Sequence, residues 1–111
     1  MFIAPQDIGR FAAEAFDHPE TWLGREEAIA GQRLSYAEAA AAMSRVLGHP
    51  VTYEPIPWDE FTATAAPTAV AREAWYLENS DPVDVDRLQA QYPWLMTLEE
   101  YLRAEGWGTT D

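Results

Sequence analysis

The sequence predicts an α/β fold, namely a small incomplete α/β unit with short strands and about five helices. Three short stretches, at 1–4, 26–30 and 51–55, are compatible with strands, and stretches with helical apolar spacing separate them. Helical patterns alone follow, and this order favours a partial α/β layer with a helical annex. The 111 residues suffice for one core, so a single domain over residues 1–111 is expected.

The first helix is expected to begin at Pro5, because the fixed φ of proline suits a first helical turn. It is expected to end at His18, since the residue before Pro19 is pushed out of the α region. A turn at 22–24 then leads into the second strand, which Gly31 ends. The apolar residues of the first helix recur with helical spacing, at Ile8, Phe11, Ala12, Ala15 and Phe16.

The second helix carries the clearest signals at both ends. Ser35 and Glu38 have the spacing of a capping box, in which each side chain bonds the other residue's free backbone amide. Gly48 is placed to end the helix in the left-handed conformation. A strand near 51–55 is expected at a sheet edge, because Pro55 has no amide proton to donate. The apolar stripe of the helix is Tyr36, Ala40, Met43, Val46 and Leu47.

Helices are expected throughout the rest of the chain. Trp58 opens one helical stretch, and Pro67 begins another whose apolar face includes Val70, Ala74 and Leu77. The remaining signals are a loop at 79–82, a cap at Asp84, a stop at Pro93, a second capping box from Thr97 to Glu100 and a helix end at Gly106.

The composition excludes several classes of partner. The formal net charge is −12, and the seven basic residues are all arginines dispersed along the chain. No nucleic acid and no membrane is therefore expected as a partner, since both are bound by basic patches. The sequence has no cysteine, which removes disulfides, thiolate nucleophiles and cysteine zinc sites. The N-terminus lacks the pattern of a signal peptide, so a cytoplasmic location is expected.

Residue types that carry chemistry are poorly arranged for catalysis. His18 and His49 each precede a proline in an expected turn, and two histidines without further partners make a weak metal site. The acidic pairs are adjacent or nearly adjacent, so their side chains do not face each other as a catalytic dyad would. No catalytic residue and no metal ligand is therefore assigned.

Several segments together resemble the C-terminal portion of NmrA-like proteins, which belong to the atypical short-chain dehydrogenase/reductase group. The segments occur in the family's order and extend over nearly the whole chain. They are DIGRFAA at 7–13, AGQRLSYAE at 30–38, SRVLG at 44–48 and LEEYL at 98–102, with shorter matches at 2–4, 51–53 and 106–107.

The resemblance implies a protein that ordinarily works with a nucleotide-binding unit. Family members join an N-terminal Rossmann half, which binds NAD(P), to a smaller C-terminal part that closes over the cleft. The six glycines of this sequence nowhere form the Gly-rich turn that approaches a pyrophosphate. The chain alone is expected to bind no cofactor, and NAD(P) only if another chain completes it. A C-terminal part without its sheet would expose apolar surface, so a homo-oligomer or a partner chain is expected.

Four aromatic residues are the candidate ligand-binding residues: Trp58, Phe61, Trp75 and Tyr76. In the family that the chain resembles, this segment overhangs the substrate cleft, and large flat side chains there suit a small apolar ligand. Ordinary packing inside a small core is the alternative interpretation of the same residues.

Three functions stay open from the sequence. The favoured one is a non-catalytic module that binds a small ligand or a protein. The second is the substrate-binding component of an NAD(P)-dependent oxidoreductase whose nucleotide-binding half is a separate or missing chain. The third is a cofactor-free enzyme that uses pocket carboxylates, for which a strongly raised carboxyl pKa in an apolar pocket would be the sign.

Overall fold

The computed structural model describes residues 1–79 and 83–109, and in this part the chain is helical. The loop expected at 79–82 therefore lies largely outside the described residues. The longest described helix has 13 residues, which is too short to cross a bilayer. The helices of the described part are α1 (Pro5–Asp17), α2 (Pro19–Trp22), α3 (Tyr36–Leu47), α4 (Trp58–Thr64), α5 (Pro67–Glu78), α6 (Val85–Gln91) and α7 (Leu98–Ala104).

The expected α/β unit with short strands is wrong, since residues 1–79 and 83–109 contain no strand and no sheet. Segments 1–4 and 26–30 meet only near a single antiparallel bridge, which joins Phe2 to Gln32. The Phe2 amide donates to the Gln32 carbonyl at 2.9 Å, and the Gly31 amide donates to the Phe2 carbonyl at 2.7 Å. The pairing goes no further because α1 begins three residues after Phe2, which leaves no length for a ladder.

The third expected strand, near 51–55, is held by a helix side chain instead of a neighbouring strand. The Val51 amide donates to the Ser44 hydroxyl oxygen at 2.8 Å, and this hydroxyl also lies within 3.1 Å of the Val51 carbonyl oxygen. A serine on α3 thus takes the backbone groups that a sheet edge would have used. The segment after Val51 belongs to no helix or strand, and it brings Tyr53 beside Tyr36, the first residue of α3.

The predicted helix ends are largely confirmed. Both capping boxes form, with Ser35 and Glu38 at the start of α3 and Thr97 and Glu100 at the start of α7. Gly48 ends α3 with φ of 77°, a left-handed conformation that glycine adopts without strain. The predicted end of α1 at His18 is confirmed, but α2 was not predicted, because the proline that stops α1 also occupies the first turn of α2.

Two clusters of buried side chains form the core. The run of alanines at 39–42 in α3 lets α7 approach closely. The first cluster joins α1 to α6 and the segment after it, through Phe11, Leu88, Tyr92 and Leu95. The second lies between α3 and α7 and consists of Ala42, Val46, Leu98 and Leu102.

Helices α4 and α5 form a hairpin that stands apart from both clusters, and residues 57–79 are called the α4–α5 arm. The two helices pack on each other, and neither contains a buried residue. The molecule is correspondingly open, with principal extents of 49, 41 and 22 Å. The arm brings its aromatic residues beside the start of α3.

Candidate functional site

The four candidate residues lie on the α4–α5 arm, and they belong to neither core cluster. Trp58 is the first residue of α4 and Phe61 follows one turn later, with ring centroids 5.6 Å apart. Trp75 and Tyr76 lie near the end of α5 in edge-to-face contact at 5.3 Å. Phe61 is half-buried and the other three are exposed, so the arrangement differs from packing inside a core.

A cleft of about 480 Å³ opens between α3, the irregular segment after it and the α4–α5 arm. We call it the aromatic cleft. It contains Trp58 and Phe61, whereas Trp75 and Tyr76 lie outside its lining. Its lining residues are Tyr36, Tyr53, Glu54, Ile56, Trp58, Phe61, Ala69, Arg72, Glu73 and Leu77.

A second cleft, of about 410 Å³, lies between the N-terminal segment and α5 and is called the N-terminal cleft. Tyr76 belongs to it, while Trp75 lines neither cleft. Tyr36 and Glu73 line both clefts and so stand between them. The lining residues of the N-terminal cleft are Met1, Phe2, Ile3, Ile29, Ala30, Tyr36, Glu73 and Tyr76.

The charged groups of the aromatic cleft are two carboxylates and one guanidinium. The Nε atom of Arg72 lies 3.6 Å from a carboxylate oxygen of Glu73, its neighbour in sequence. Glu54 is exposed at the other side of the cleft. Because one carboxylate is offset by Arg72, the cleft carries a net negative charge.

Two ion-paired carboxylates with lowered pKa values lie outside the aromatic and N-terminal clefts. Hydrogen bonds from Arg87 and then Arg25 lower the pKa of Glu27, although burial acts in the opposite direction. A hydrogen bond from Arg45 lowers the pKa of Glu99. These groups serve ion pairs that hold the fold together. In residues 1–79 and 83–109, no group of three His, Asp or Glu side chains is placed to hold a metal ion.

The model of the NmrA-like family matches residues 1–102, which is most of the chain. The chain belongs to the NmrA-like family. The resemblance that the sequence motifs indicate is thereby confirmed at the level of the family. A comparison with curated proteins found no match. Both clefts lie inside the matched region of this NmrA-like chain, since Leu77 is the last residue that lines them.

Sequence reasoning missed two tyrosines of the NmrA-like chain's aromatic cleft. Tyr36 and Tyr53 stack with centroids 5.4 Å apart and an interplanar angle of 26°. The sequence assigned Tyr36 to the apolar stripe of its helix, but its first position in α3 leaves it 66% exposed. The available signal was Ser44, which is positioned to fold the segment after the helix back along α3.

Proposed function

We propose that this NmrA-like chain is a non-catalytic binding module whose aromatic cleft accepts a small apolar ligand. The observation that carries the proposal is the convergence of Tyr36, Tyr53, Trp58 and Phe61 on one cleft of about 480 Å³. Ligand sites have about 300–1,000 Å³ and are lined mainly by apolar and aromatic side chains. Rigid rings also lose little conformational entropy when a ligand orders them.

The proposed module works without NAD(P) of its own. The described glycines with positive φ are Gly24, Gly48, Gly106 and Gly108, and none stands in a turn that leads directly from a strand into a helix. Such a turn presents the backbone amides that bind a pyrophosphate. The lack of such a turn in the described residues and the net charge of −12, which disfavours phosphates, support this part of the proposal.

A neutral fluorescent probe, N-phenyl-1-naphthylamine, tests the apolar cleft. We expect saturable binding, with probe emission rising and tryptophan emission falling as Trp58 transfers energy to the probe. Trp58→Ala should weaken this binding about tenfold, because it removes one wall of the cleft. Trp107→Ala is the matched control, since Trp107 is an exposed tryptophan that lines neither cleft. Equal weakening by both variants, or no saturable binding, would contradict the proposal.

The extent of exposed surface supports a second role, self-association. The accessible surface is 8008 Å², against about 6,200 Å² for a compact chain of this mass. The radius of gyration is 17.1 Å, against about 13 Å for a compact domain of this length. The surplus of roughly 1,800 Å² per chain exceeds the roughly 800 Å² that each partner buries in a standard interface.

We propose that the occupant of this surface is a second copy of the chain, docked on the face of the α4–α5 arm that carries Trp75. Trp75 is 57% exposed and lines neither cleft, so a partner can cover it while the aromatic cleft stays open. The net charge of −12 opposes pairing only weakly, because salt screens charges over about 8 Å at physiological ionic strength.

Sedimentation equilibrium over a dilution series tests the second copy. The wild-type chain is expected to form a dimer at micromolar concentration, and Trp75→Ser is expected to raise its dissociation constant at least tenfold. Trp107→Ser serves as the control. A wild-type chain that remains a monomer at every concentration would contradict self-association, and would leave a different chain as the partner to be sought.

A further inference from the structure

We infer that the ligand class of the aromatic cleft is a small organic cation, an alkyl- or arylammonium. This inference rests on the proposed function and specifies the chemistry of the same site. A neutral apolar ligand interacts favourably with the rings of the cleft alone. An organic ammonium ion interacts favourably with both the rings and the carboxylates.

The aromatic rings of the cleft favour a cationic ligand. Aromatic faces carry negative electrostatic potential, and a cation within about 6 Å of a ring centroid is attracted to it. Two ring pairs line the cleft, Tyr36 with Tyr53 and Trp58 with Phe61. A ligand in the cleft therefore has four aromatic side chains around it, and clusters of aromatic rings recognise alkylated ammonium groups.

The charged side chains of the cleft also favour a cationic ligand. Glu54 and Glu73 contribute two negative charges to the cleft, and Arg72 contributes one positive charge. Arg72 is directed to Glu73, with 3.6 Å between Nε and a carboxylate oxygen, so Glu54 is left to face an incoming ligand. The field of a chain with net charge −12 also concentrates cations near its surface and repels anions.

The arginines that contact ring faces lie outside the aromatic cleft, and the cleft's own arginine, Arg72, lies beside Glu73. The arginine-to-ring contacts found in residues 1–79 and 83–109 join Arg10 to Trp94 at 5.7 Å and Arg25 to Trp22 at 5.1 Å. Neither tryptophan lines the aromatic cleft. The chain therefore uses cation–π contacts to hold its body together, while the corresponding faces in the cleft have no arginine over them.

Three probes of similar shape and different charge test the inference: phenyltrimethylammonium, its neutral isostere tert-butylbenzene, and benzenesulfonate. We expect the cation to bind about three- to tenfold more tightly than the neutral isostere, as titration of tryptophan fluorescence would show, and the anion to bind weakest. Raising the salt concentration should narrow the difference between cation and anion, because salt screens the charges of an exposed cleft.

Two variants of opposite sign sharpen the test. Glu73→Gln should lower the ratio of the affinity for phenyltrimethylammonium to the affinity for tert-butylbenzene severalfold, and Arg72→Gln should raise this ratio. Glu20→Gln is the control for net charge, because Glu20 is an exposed residue of α2 and lines neither cleft. Circular dichroism of each variant checks that the helices remain intact.

The outcomes separate this inference from the function on which it rests. Equal affinity for the three probes, or preference for the anion, overturns the cationic ligand class and leaves an apolar binding module in place. Failure of all three probes, together with failure of the neutral naphthylamine probe, overturns the binding module itself. A response to Glu20→Gln as large as that to Glu73→Gln would assign the preference to the charge of the whole chain and overturn the site.

Discussion

At the scale of single residues, Asp7 ties α1 to the segment that leads into α7. Its side chain is fully buried, and one carboxylate oxygen accepts the Met96 amide proton at 2.8 Å. The other accepts from Arg10 at 3.2 Å, and the same guanidinium nitrogen donates to the Trp94 carbonyl at 3.0 Å. Sequence reasoning gave Asp7 no such role, because an acidic residue in a first helical turn is common for electrostatic reasons alone.

Gly31 occupies a close crossing of three chain segments. A methyl group added there would lie 2.8 Å from the Met96 carbonyl oxygen and 3.4 Å from the Phe2 carbonyl oxygen. Gly31→Ala is therefore expected to lower the free energy of unfolding by about 1–3 kcal/mol. Gly9→Ala is the matched control, because a methyl group at that helical position meets nothing within 4 Å, and it should add about 0.5–1 kcal/mol. Chemical denaturation measures both, and equal effects would contradict the crossing.

Glu27 makes the stability depend on pH in a defined direction. Its carboxylate accepts from Arg25 at 2.9 Å and also from Arg87, and these bonds hold its pKa below the ordinary 4.5. Because the folded state favours the charged form, this contribution is complete above that ordinary value and disappears as the pH falls through the lowered pKa. Glu27→Gln should therefore destabilise the chain at pH 7 and converge with wild type in acid. The control is Glu26→Gln, because Glu26 is the exposed neighbour of Glu27.

At the scale of elements, a segment with a strand-like sequence pattern does not pair with another strand. The stretch near 51–55 has the alternating, proline-containing pattern of an edge strand, yet its first backbone groups bond a helix side chain. A pattern of side chains indicates which conformation a segment favours, but it does not specify which other segment the backbone pairs with. The helices were predictable because caps, prolines and glycines act locally, whereas a sheet depends on which distant segments meet.

Ser44→Ala is the variant that tests this attachment. Loss of the hydroxyl leaves the Val51 amide without its bond, so the segment should loosen and unfolding should cost about 1 kcal/mol less. Tyr53 follows in that segment, so probe binding in the aromatic cleft should weaken as well. Amide hydrogen exchange at Val51 gives the direct measurement. Ser44→Thr retains a hydroxyl and should preserve protection; faster exchange in both variants would contradict the role of the hydroxyl.

Sequence reasoning found part of the candidate site and missed part for a physical reason. Trp58 and Phe61 are one helical turn apart, so their proximity follows from local geometry alone. Tyr36 and Tyr53 come together only after Ser44 has positioned the segment beyond α3. Trp75 was grouped with the others because the family resemblance places this whole segment over a substrate cleft, but Trp75 lines neither cleft.

At the scale of the whole molecule, two small core clusters and an open arm replace a single layered core. The cluster around Leu88 and the cluster around Leu102 are connected through the N-terminal segment, because Ile3 packs against the first and Phe2 against the second. The bond from the Met96 amide to the Asp7 side chain at 2.8 Å also ties α1 to the segment just before α7. Because these contacts connect the two clusters, we predict that residues 1–111 unfold as a single cooperative domain.

One unfolding transition is expected for the whole chain. Leu88→Ala and Leu102→Ala each remove a buried side chain from a different cluster and should each cost about 2–5 kcal/mol. If the clusters form one domain, both variants shift the same transition, and circular dichroism and tryptophan fluorescence coincide. Two transitions, each sensitive to one variant, would divide the chain into two units.

The wall formed by Tyr36 and Glu73 separates two chambers and belongs to both of them. A ligand that displaces these two side chains enlarges the chamber in which it binds and narrows the other chamber. If a ligand in one chamber changes the affinity of the other chamber by some factor, a ligand in the other chamber changes the first affinity by the same factor, because the two sites share one coupling free energy.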